Sequence, residues 1–365
     1  MDISETRVLI EEIDEQMAHL FEKRMQCAKA IAEYKQANGL PVKDLAREKN
    51  LIEKNCKYIE DPFMVGYYKN FLQSTIDVSC NYQDYIMEGM KVAYNGIEGA
   101  YAHIASMRLF PECKAKAYKS FRDAYKSVEN GENDCAILPI ENSYAGEVGA
   151  VIDLMFSGPL YINNVLDMEI SHNLLVKKGT DISKIKKVMS HQQALQQCAG
   201  LISMYDWDTE ECSSTANAAK KVSEMDDESV AAIASVEAAQ AYGLEVLKKS
   251  VQDSGNNTTR FAAFSRTQNL PKSMQKRLDE NFILVFTVRN APGALTQALN
   301  IIGSHGYNMR SLRSRPLKGL QWNYYFYVEA EGDINNENGQ NMLHELSVIC
   351  AKLRLIGAYY VNSRE

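Results

Sequence analysis

The sequence predicts a multidomain chain whose three parts belong to three fold classes: an all-α unit, an α/β unit and an α+β unit of the ferredoxin-like kind. Three observations carry this. Residues 2 to about 37 hold helical periodicity without a single Gly or Pro. Residues 90 to about 265 alternate strand-like and helical runs. The remainder follows the order βαββαβ. The boundaries fall at 1–88, 90–267 and 281–365, and the polar stretch RTQNLPKSMQKRLDE (266–280) reads as a linker.

In the first unit, Ile3, Ile10, Ile13, Met17, Leu20, Ile31 and Tyr34 recur at close to 3.5-residue spacing. Asn38-Gly39-Leu40-Pro41 ends this helix. A second helix is expected from about Asp44 to Ile59, and a third after Asp61-Pro62, reaching about Met87. A helix of about 36 residues is roughly 54 Å long. That is too long for so small a unit, so it needs a partner, most simply a second copy of the chain.

In the second unit, strands are expected at Lys91–Asn95, Cys135–Ile140, Lys187–Ser190, Val230–Ser235 and Arg260–Ser265, with helices at 147–156, 191–205 and 215–224. The alternation argues for largely parallel sheets. The polar connections GIEGAYAH, PIENSYAG and CSSTANAA sit where strands give way to helices, the usual place for ligands in open α/β sheets. In the third unit the expected elements are strand 282–290, helix 292–304, strands 308–317 and 323–331, helix 338–353 and strand 354–361, with the helices on one face.

The bulk numbers exclude several classes of function. The net charge of −7 gives no support for nucleic acid as a partner. No apolar run approaches membrane-spanning length; the longest strand-like one is Phe282–Phe286. The start MDISETRVLIEEIDEQ lacks the basic-then-apolar pattern of a signal peptide. Eight scattered cysteines form no C-x-x-C pair and no zinc spacing, so a cytoplasmic chain with reduced thiols and no metal is expected. That setting removes the glycan-acceptor reading of Asn256-Asn257-Thr258 and Asn257-Thr258-Thr259.

Two cations extend the apolar stripe of the first helix: Arg24, then Lys35 eleven residues on. Eleven residues are within about 20° of three full turns, so both point the same way, about 16 Å apart along the axis. Buried cations need anionic partners, so a ligand between them is expected. Arg7 lies about 25 Å from Arg24 and about 100° around the helix, so it cannot reach the same small ligand from the same helix copy, and any contribution it makes is to the site of a second chain. Asp44, Arg47 and Glu48 follow on the second helix, and Ser79 and Gln83 stand one turn apart on the third.

This set, Arg7, Arg24, Lys35, Asp44, Arg47, Glu48, Ser79 and Gln83, resembles the active site of the all-helical chorismate mutases, which form intertwined dimers. The resemblance implies Arg7 of a partner chain and Arg24 on the substrate carboxylates, and Lys35 and Gln83 on the ether oxygen that gains negative charge. Arg47, Glu48, Asp44 and Ser79 are then implied around the hydroxyl and ring. A pericyclic rearrangement needs only positioning and charge stabilisation.

The stretches VAYNGIEGAYAH (92–103), AILPIENSYAG (136–146), ISHNLL (170–175), SHQQALQQC (190–198), SSTANAA (213–219) and NNTTRF (256–261) are similar, in order, to prephenate dehydratase. With the mutase segment they resemble the bifunctional chorismate mutase/prephenate dehydratases. The implied fold has two α/β lobes around a cleft, like periplasmic binding proteins. The implied reaction, loss of water and carbon dioxide from prephenate, needs help for a departing hydroxyl and a grip on carboxylate. Thr259 is the candidate donor to that hydroxyl. Arg260 either anchors a carboxylate or forms a structural salt bridge. The resemblance places Glu141, Asn142 and Gln197 in the site. Ser214 and Thr215 precede a helix, where they cap it or bind an anion. His172 and His191 read as packing histidines. His191-Gln192-Gln193 stands where the family has His-Pro-Gln.

Gly293-Ala294-Leu295 followed by Arg313-Ser314-Arg315-Pro316 resembles the ACT regulatory domain that binds phenylalanine in this family. Arg313 replaces the family's glutamate, a full charge reversal. The implied protein is a homodimer or higher homo-oligomer that acts on chorismate and prephenate, is feedback-regulated by phenylalanine and uses no cofactor. A non-catalytic metabolite sensor built on the cleft and ACT domain is the alternative, against which the mutase cation set argues. A dehydrogenase fusion needs a G-x-G-x-x-G, which the chain lacks.

Overall fold

The computed structural model describes residues 2–268, 280–317 and 323–362, so positions 269–279 of the expected linker lie outside the described residues. The chain divides into two compact units, Met1–Lys91 and Val92–Glu365. Among the described residues no helix is long and apolar enough to cross a membrane.

The first unit is three helices: α1 (Ile3–Asn38), α2 (Leu45–Cys56) and α3 (Val65–Glu88). Asp2 and Glu5 form a capping box at the start of α1, and Gly39 closes it at φ 64°. Asp44 caps α2 by accepting from the Arg47 N–H. The core is small: Ile52, Leu72, Ile76 and Cys80, with Ala28 and Ala32 of α1. Only the second half of α1 is covered within one chain. Ile3, Ile10, Ile13, Met17 and Leu20 are 43–65 % exposed, and Tyr34, expected on the inward stripe, is also exposed.

The second unit opens with β1 (Lys91–Asn95), α4 (Tyr101–Leu109), β2 (Lys114–Tyr118), α5 (Phe121–Glu129), β3 (Cys135–Asn142), β4 (Gly146–Glu147), α6 (Gly149–Ser157) and β5 (Tyr161–Glu169). The chain then crosses to a second lobe: β6 (Asn173–Val176), β7 (Lys187–Ser190), α7 (Gln192–Gln197), α8 (Ala199–Met204), β8 (Asp208–Glu211), α9 (Thr215–Glu224), β9 (Val230–Ala234), α10 (Val236–Tyr242) and β10 (Glu245–Lys248). It returns along β11 (Thr258–Ser265). The helix expected over 191–205 is two helices, broken at Cys198, where ψ is 19°.

The sheets are mixed, which corrects the expectation of largely parallel ones. In the second lobe, of order β10-β6-β9-β7-β8, β7 pairs in parallel with β8 and β9, while β6 is antiparallel to β9 and β10. In the first lobe β1 and β3 are parallel, but β11 is antiparallel to both β3 and β5. The reason is topological: the chain leaves along β5 and comes back beside it along β11. The two crossings also bond to each other, Ile170 N–H to Asn257 O at 2.8 Å and Val251 N–H to His172 O at 2.8 Å.

The C-terminal part is β12 (Glu280–Thr287), α11 (Ala294–Ser304), β13 (Asn308–Pro316), β14 (Tyr324–Glu331), α12 (Glu337–Ile349) and β15 (Lys352–Asn362), the predicted βαββαβ order. Its sheet runs β13-β14-β12-β15, and the end of β15 pairs with β5, so it continues the first-lobe sheet. Phe282, Leu284 and Phe286 pack on α11 and α12, whereas Ile283 and Val285 join the first-lobe core with Leu154, Met155 and Tyr125. The strand is buried on both faces, which is why it reads as an unbroken apolar run.

Candidate active sites

Two cavities gather the predicted residues. The first, about 210 Å³, lies among α1, α2 and α3 and is lined by Arg24, Lys35, Asp44, Arg47, Glu48, Ser79 and Gln83, together with apolar Ala28, Ile31, Val42, Leu51 and Ile76. Arg24 and Lys35 stand three turns apart on one face of α1. Arg24 donates to the Ser79 hydroxyl and, at 3.1 Å, to Thr75 O. Lys35 Nζ donates to Gln83 Oε1 at 3.1 Å and to Val42 O. Gln83 Nε2 donates to Ser79 O at 3.3 Å. Three cations thus face a small, partly apolar space, with only Asp44 and Glu48 as acids lining it. Arg7 is not among the lining residues; it sits on the exposed half of α1. Cys80 lines the cavity without having been anticipated. Burial first, and the Glu48 carboxylate 3.8 Å away, push its thiol up and keep it protonated. Nothing in the sequence distinguishes this cysteine from the other seven.

The second cavity, about 250 Å³, lies between the two α/β lobes. Asn142 at the end of β3, Thr259 on β11, Gln197 at the end of α7, and Ser214 and Thr215 at the start of α9 all line it. Asn142 Nδ2 donates to Asn257 Oδ1 and to Thr259 Oγ1, each at 2.8 Å. Asn257 Nδ2 donates to Gln197 Oε1 at 2.9 Å, and His172 Nε2 meets the same oxygen at 2.8 Å. Ser214 caps α9 by accepting from Asn217 N–H at 3.1 Å while its residue lines the cavity, so the capping reading holds at a site that also faces the cleft. Tyr101, His172, His191, Gln193 and Asn257 also line this cavity. All five sit inside the quoted motifs. The sequence reads both histidines as packing residues; the partners of His172, namely Gln197, Gln252 and Tyr101, come from distant chain segments. His191 Nδ1 accepts from Gln193 N–H and so caps α7.

Glu141 and Arg260 are not among the residues lining the cleft. Strand side chains alternate, and Thr259 pairs with Asn142 while Arg260 pairs with Glu141. One pair faces the cavity, so the other turns to the opposite side. There Arg260 grips Asp167 at 2.7 and 3.0 Å and Glu329 of β14 at 3.1 Å. Of its two readings the structure shows the salt bridge, and the Asp167 hydrogen bonds hold the guanidinium protonated. Glu141 pairs with Arg313, which also faces Glu147 at 3.9 Å. Arg315 pairs with Glu147 and, at 2.9 Å, with Asp153. Arg313 and Arg315 therefore alternate toward the first lobe, with the exposed Ser314 and Pro316 between and after them. Gly293 is the left-handed N-cap of α11 at φ 80°, followed by partly buried Ala294 and Leu295.

Comparison with known proteins finds two families along the chain. Residues 6–84 match the chorismate mutase type II family and residues 92–269 the prephenate dehydratase family. The chain is 30 % identical to the bifunctional chorismate mutase/prephenate dehydratase of Buchnera aphidicola subsp. Schizaphis graminum, covering 98 % of this chain and 96 % of that one. The structure of the prephenate dehydratase from Arthrobacter aurescens, in complex with L-Phe, is 28 % identical with a TM-score of 0.69 over 74 % of this chain and 90 % of that one. GqqA, described as a novel type of quorum quenching acylase, is 30 % identical with a TM-score of 0.68 over 75 % of this chain and 98 % of that one. The chain belongs to the bifunctional chorismate mutase/prephenate dehydratase family, with both activities serving phenylalanine biosynthesis.

Proposed function

We propose that the two activities are divided between the two cavities: the helical one rearranges chorismate, and the cleft dehydrates the resulting prephenate. The gathering of Arg24, Lys35, Arg47, Ser79 and Gln83 around one small space carries the first assignment. Arg24 holds a carboxylate, Lys35 and Gln83 stand together where the ether oxygen gains charge, and Arg47, Glu48, Asp44 and Ser79 set the hydroxyl and ring. Arg7 acts on the cavity of a second chain, with the exposed stripe Ile3–Leu20 of α1 as the contact between copies.

In the cleft, the bond from ring carbon to carboxylate breaks as carbon dioxide leaves. Its electron pair makes the ring aromatic and expels the hydroxyl, which takes up a proton to leave as water. Thr259 donates a hydrogen bond to that departing oxygen, Asn142 holds Thr259, and Gln197 with the start of α9 binds the remaining oxygens. The C-terminal domain takes phenylalanine near Gly293-Ala294-Leu295 and feeds back on the cleft. The reading of a cytoplasmic protein rests on eight free cysteines, four of them buried.

The test gives purified full-length protein chorismate, then prephenate, and follows prephenate and phenylpyruvate with and without phenylalanine. Lys35→Ala is expected to lose chorismate turnover and keep prephenate turnover; Thr259→Val is expected to do the reverse. Parallel loss of both activities in either variant rejects the division of sites. Mixing Arg7→Ala with Arg24→Ala protein should restore part of the mutase activity after subunit exchange. No recovery despite proven exchange rejects the cross-chain role of Arg7.

A further inference from the structure

Two backbone N–H groups set the direction of a hydrogen-bond chain through the cleft. The N–H groups of Tyr144 and Ala145 both point at Asn142 Oδ1, at 3.0 and 2.9 Å. A backbone N–H only donates, so this side of the Asn142 amide must be its oxygen and the other its nitrogen. That nitrogen donates to Asn257 Oδ1 and Thr259 Oγ1. Asn257 must then turn its own nitrogen to Gln197, whose Oε1 accepts it. The same oxygen meets His172 Nε2 at 2.8 Å. An amide oxygen has no hydrogen to give, so the histidine must carry its proton on Nε2. Its other nitrogen, Nδ1, keeps the lone pair and lies 3.3 Å from the Tyr101 hydroxyl, which donates to Ser171 O at 2.8 Å.

Two donor groups are left over at the end of this chain. Thr259 accepts through its oxygen, so its hydroxyl hydrogen is free to donate. Gln197 accepts twice through Oε1, and its Nε2 is buried without a partner although the residue lines the cavity. A buried amide nitrogen without an acceptor is costly unless a ligand supplies one.

We infer that His172 is a positioning residue for the dehydratase reaction: by donating from Nε2 to Gln197 Oε1, it locks the Gln197 amide so that its NH2 meets an oxygen of the bound diacid. The inference rests on the cleft being the dehydratase site. His172 is only 3 % exposed. It sits in the crossing between the lobes, where its N–H is held by Gln252 Oε1 at 3.0 Å and its O by Val251 N–H. The backbone therefore fixes the ring at the junction while the ring fixes the amide. Burial holds its pKa below the ordinary value, so a neutral ring with one N–H is the working form.

The experiment uses the full chain and has two arms. In the first, nitrogen-15 NMR of the His172 side chain in the unaltered protein is expected to show protonated Nε2 and lone-pair Nδ1; the opposite tautomer overturns the inference. In the second, prephenate turnover is measured for His172→Phe, His172→Gln, Gln197→Leu and the double variant His172→Phe/Gln197→Leu, with the urea unfolding midpoint of the second unit as the folding control. His172→Phe is expected to lower prephenate kcat about tenfold, the effect of one hydrogen bond. His172→Gln, whose side-chain N–H can take the place of Nε2, is expected to recover most of it. In the Gln197→Leu background the His172→Phe change is expected to cost nothing further. Losses that multiply in the double variant, or a failure of Gln to outperform Phe, reject the positioning role. Unchanged turnover in Gln197→Leu alone rejects instead the reading of the cleft on which the inference stands.

Discussion

At the scale of single residues, Thr259 and His172 make separate predictions. Thr259 is fixed as a donor by Asn142, so Thr259→Val removes a donor aimed at the leaving oxygen while nearly keeping the volume. Prephenate kcat is expected to fall about 10²-fold or more, the usual effect of losing a group that stabilises a departing oxygen, with a smaller change in KM. Thr259→Ser, which keeps the hydroxyl, is expected to retain most of the rate. His172 predicts a pH dependence of stability. Its folded pKa is lowered by burial from the ordinary 6.5, so as pH falls below about 6.5 the unfolded chain binds a proton that the folded chain refuses. Stability therefore declines with falling pH in that range. His305 acts oppositely: its hydrogen bond to Asn338, then Glu345, raises its pKa, and that support is present below 6.5 and fades as pH rises through its folded pKa. The His172 share is isolated by comparing denaturant midpoints at pH 7.5 and 5.5 for the unaltered protein and His172→Gln, where a smaller loss is expected in the variant.

At the scale of elements, the site is built by alternation along two paired strands. β3 and β11 present Asn142 and Thr259 to the cleft and Glu141 and Arg260 to the C-terminal domain. The period of two was legible in the sequence, since 141/142 and 259/260 are neighbours that must point apart. Which member faces the cleft was not, because that depends on where a second lobe and a third domain come to rest. The partner of Arg313 was equally hidden, lying 172 residues away. The elements themselves were readable because apolar periodicity is local; the mixed sheets were not, because pairing direction is set by the two crossings. The contact of Arg313 with Glu141 and Glu147 predicts that Arg313→Glu, which puts a third carboxylate beside them, destabilises the second unit by about 1–2 kcal/mol, since the pair is only half-buried. A double-mutant cycle in urea with Glu141→Gln is expected to show coupling. The lobes meet at a second sensitive point. Gly99 has φ +78°, and a Cβ there would lie 2.8 Å from Ala238 Cα across the lobe contact. Gly99→Ala is expected to cost about 1–3 kcal/mol in the same urea assay.

At the scale of the whole molecule, α1 poses a problem that a single chain does not solve. Its second half covers a core of a few side chains, and its first half leaves Ile3, Ile10, Ile13, Met17 and Leu20 open to water. The sequence showed one continuous stripe carrying Arg24 and Lys35 on a helix too long for its unit; it did not show where along α1 the internal cover ends. Burying five such side chains against another chain would be worth several kcal/mol at about 25 cal/mol per Å². Against so small an internal core that is a large share of the unit's stability. A second copy packed on this stripe would bring its Arg7 toward this chain's cavity, which Arg7 cannot reach along its own helix at about 25 Å from Arg24. Association, helical stability and mutase activity should therefore fail together. Ile10→Glu/Ile13→Glu is expected to shift sedimentation toward the monomer if α1 is the main contact between copies. It should also melt the helical unit at lower temperature and lower chorismate turnover at least tenfold, the usual scale for losing one charge contact to substrate. The second unit has its own cores in both lobes and the C-terminal sheet, so its prephenate turnover should persist. Chorismate turnover should further fall on dilution of the unaltered protein while prephenate turnover per chain stays level. Mutase activity that survives in a proven monomer would show that one chain's cavity is complete without Arg7.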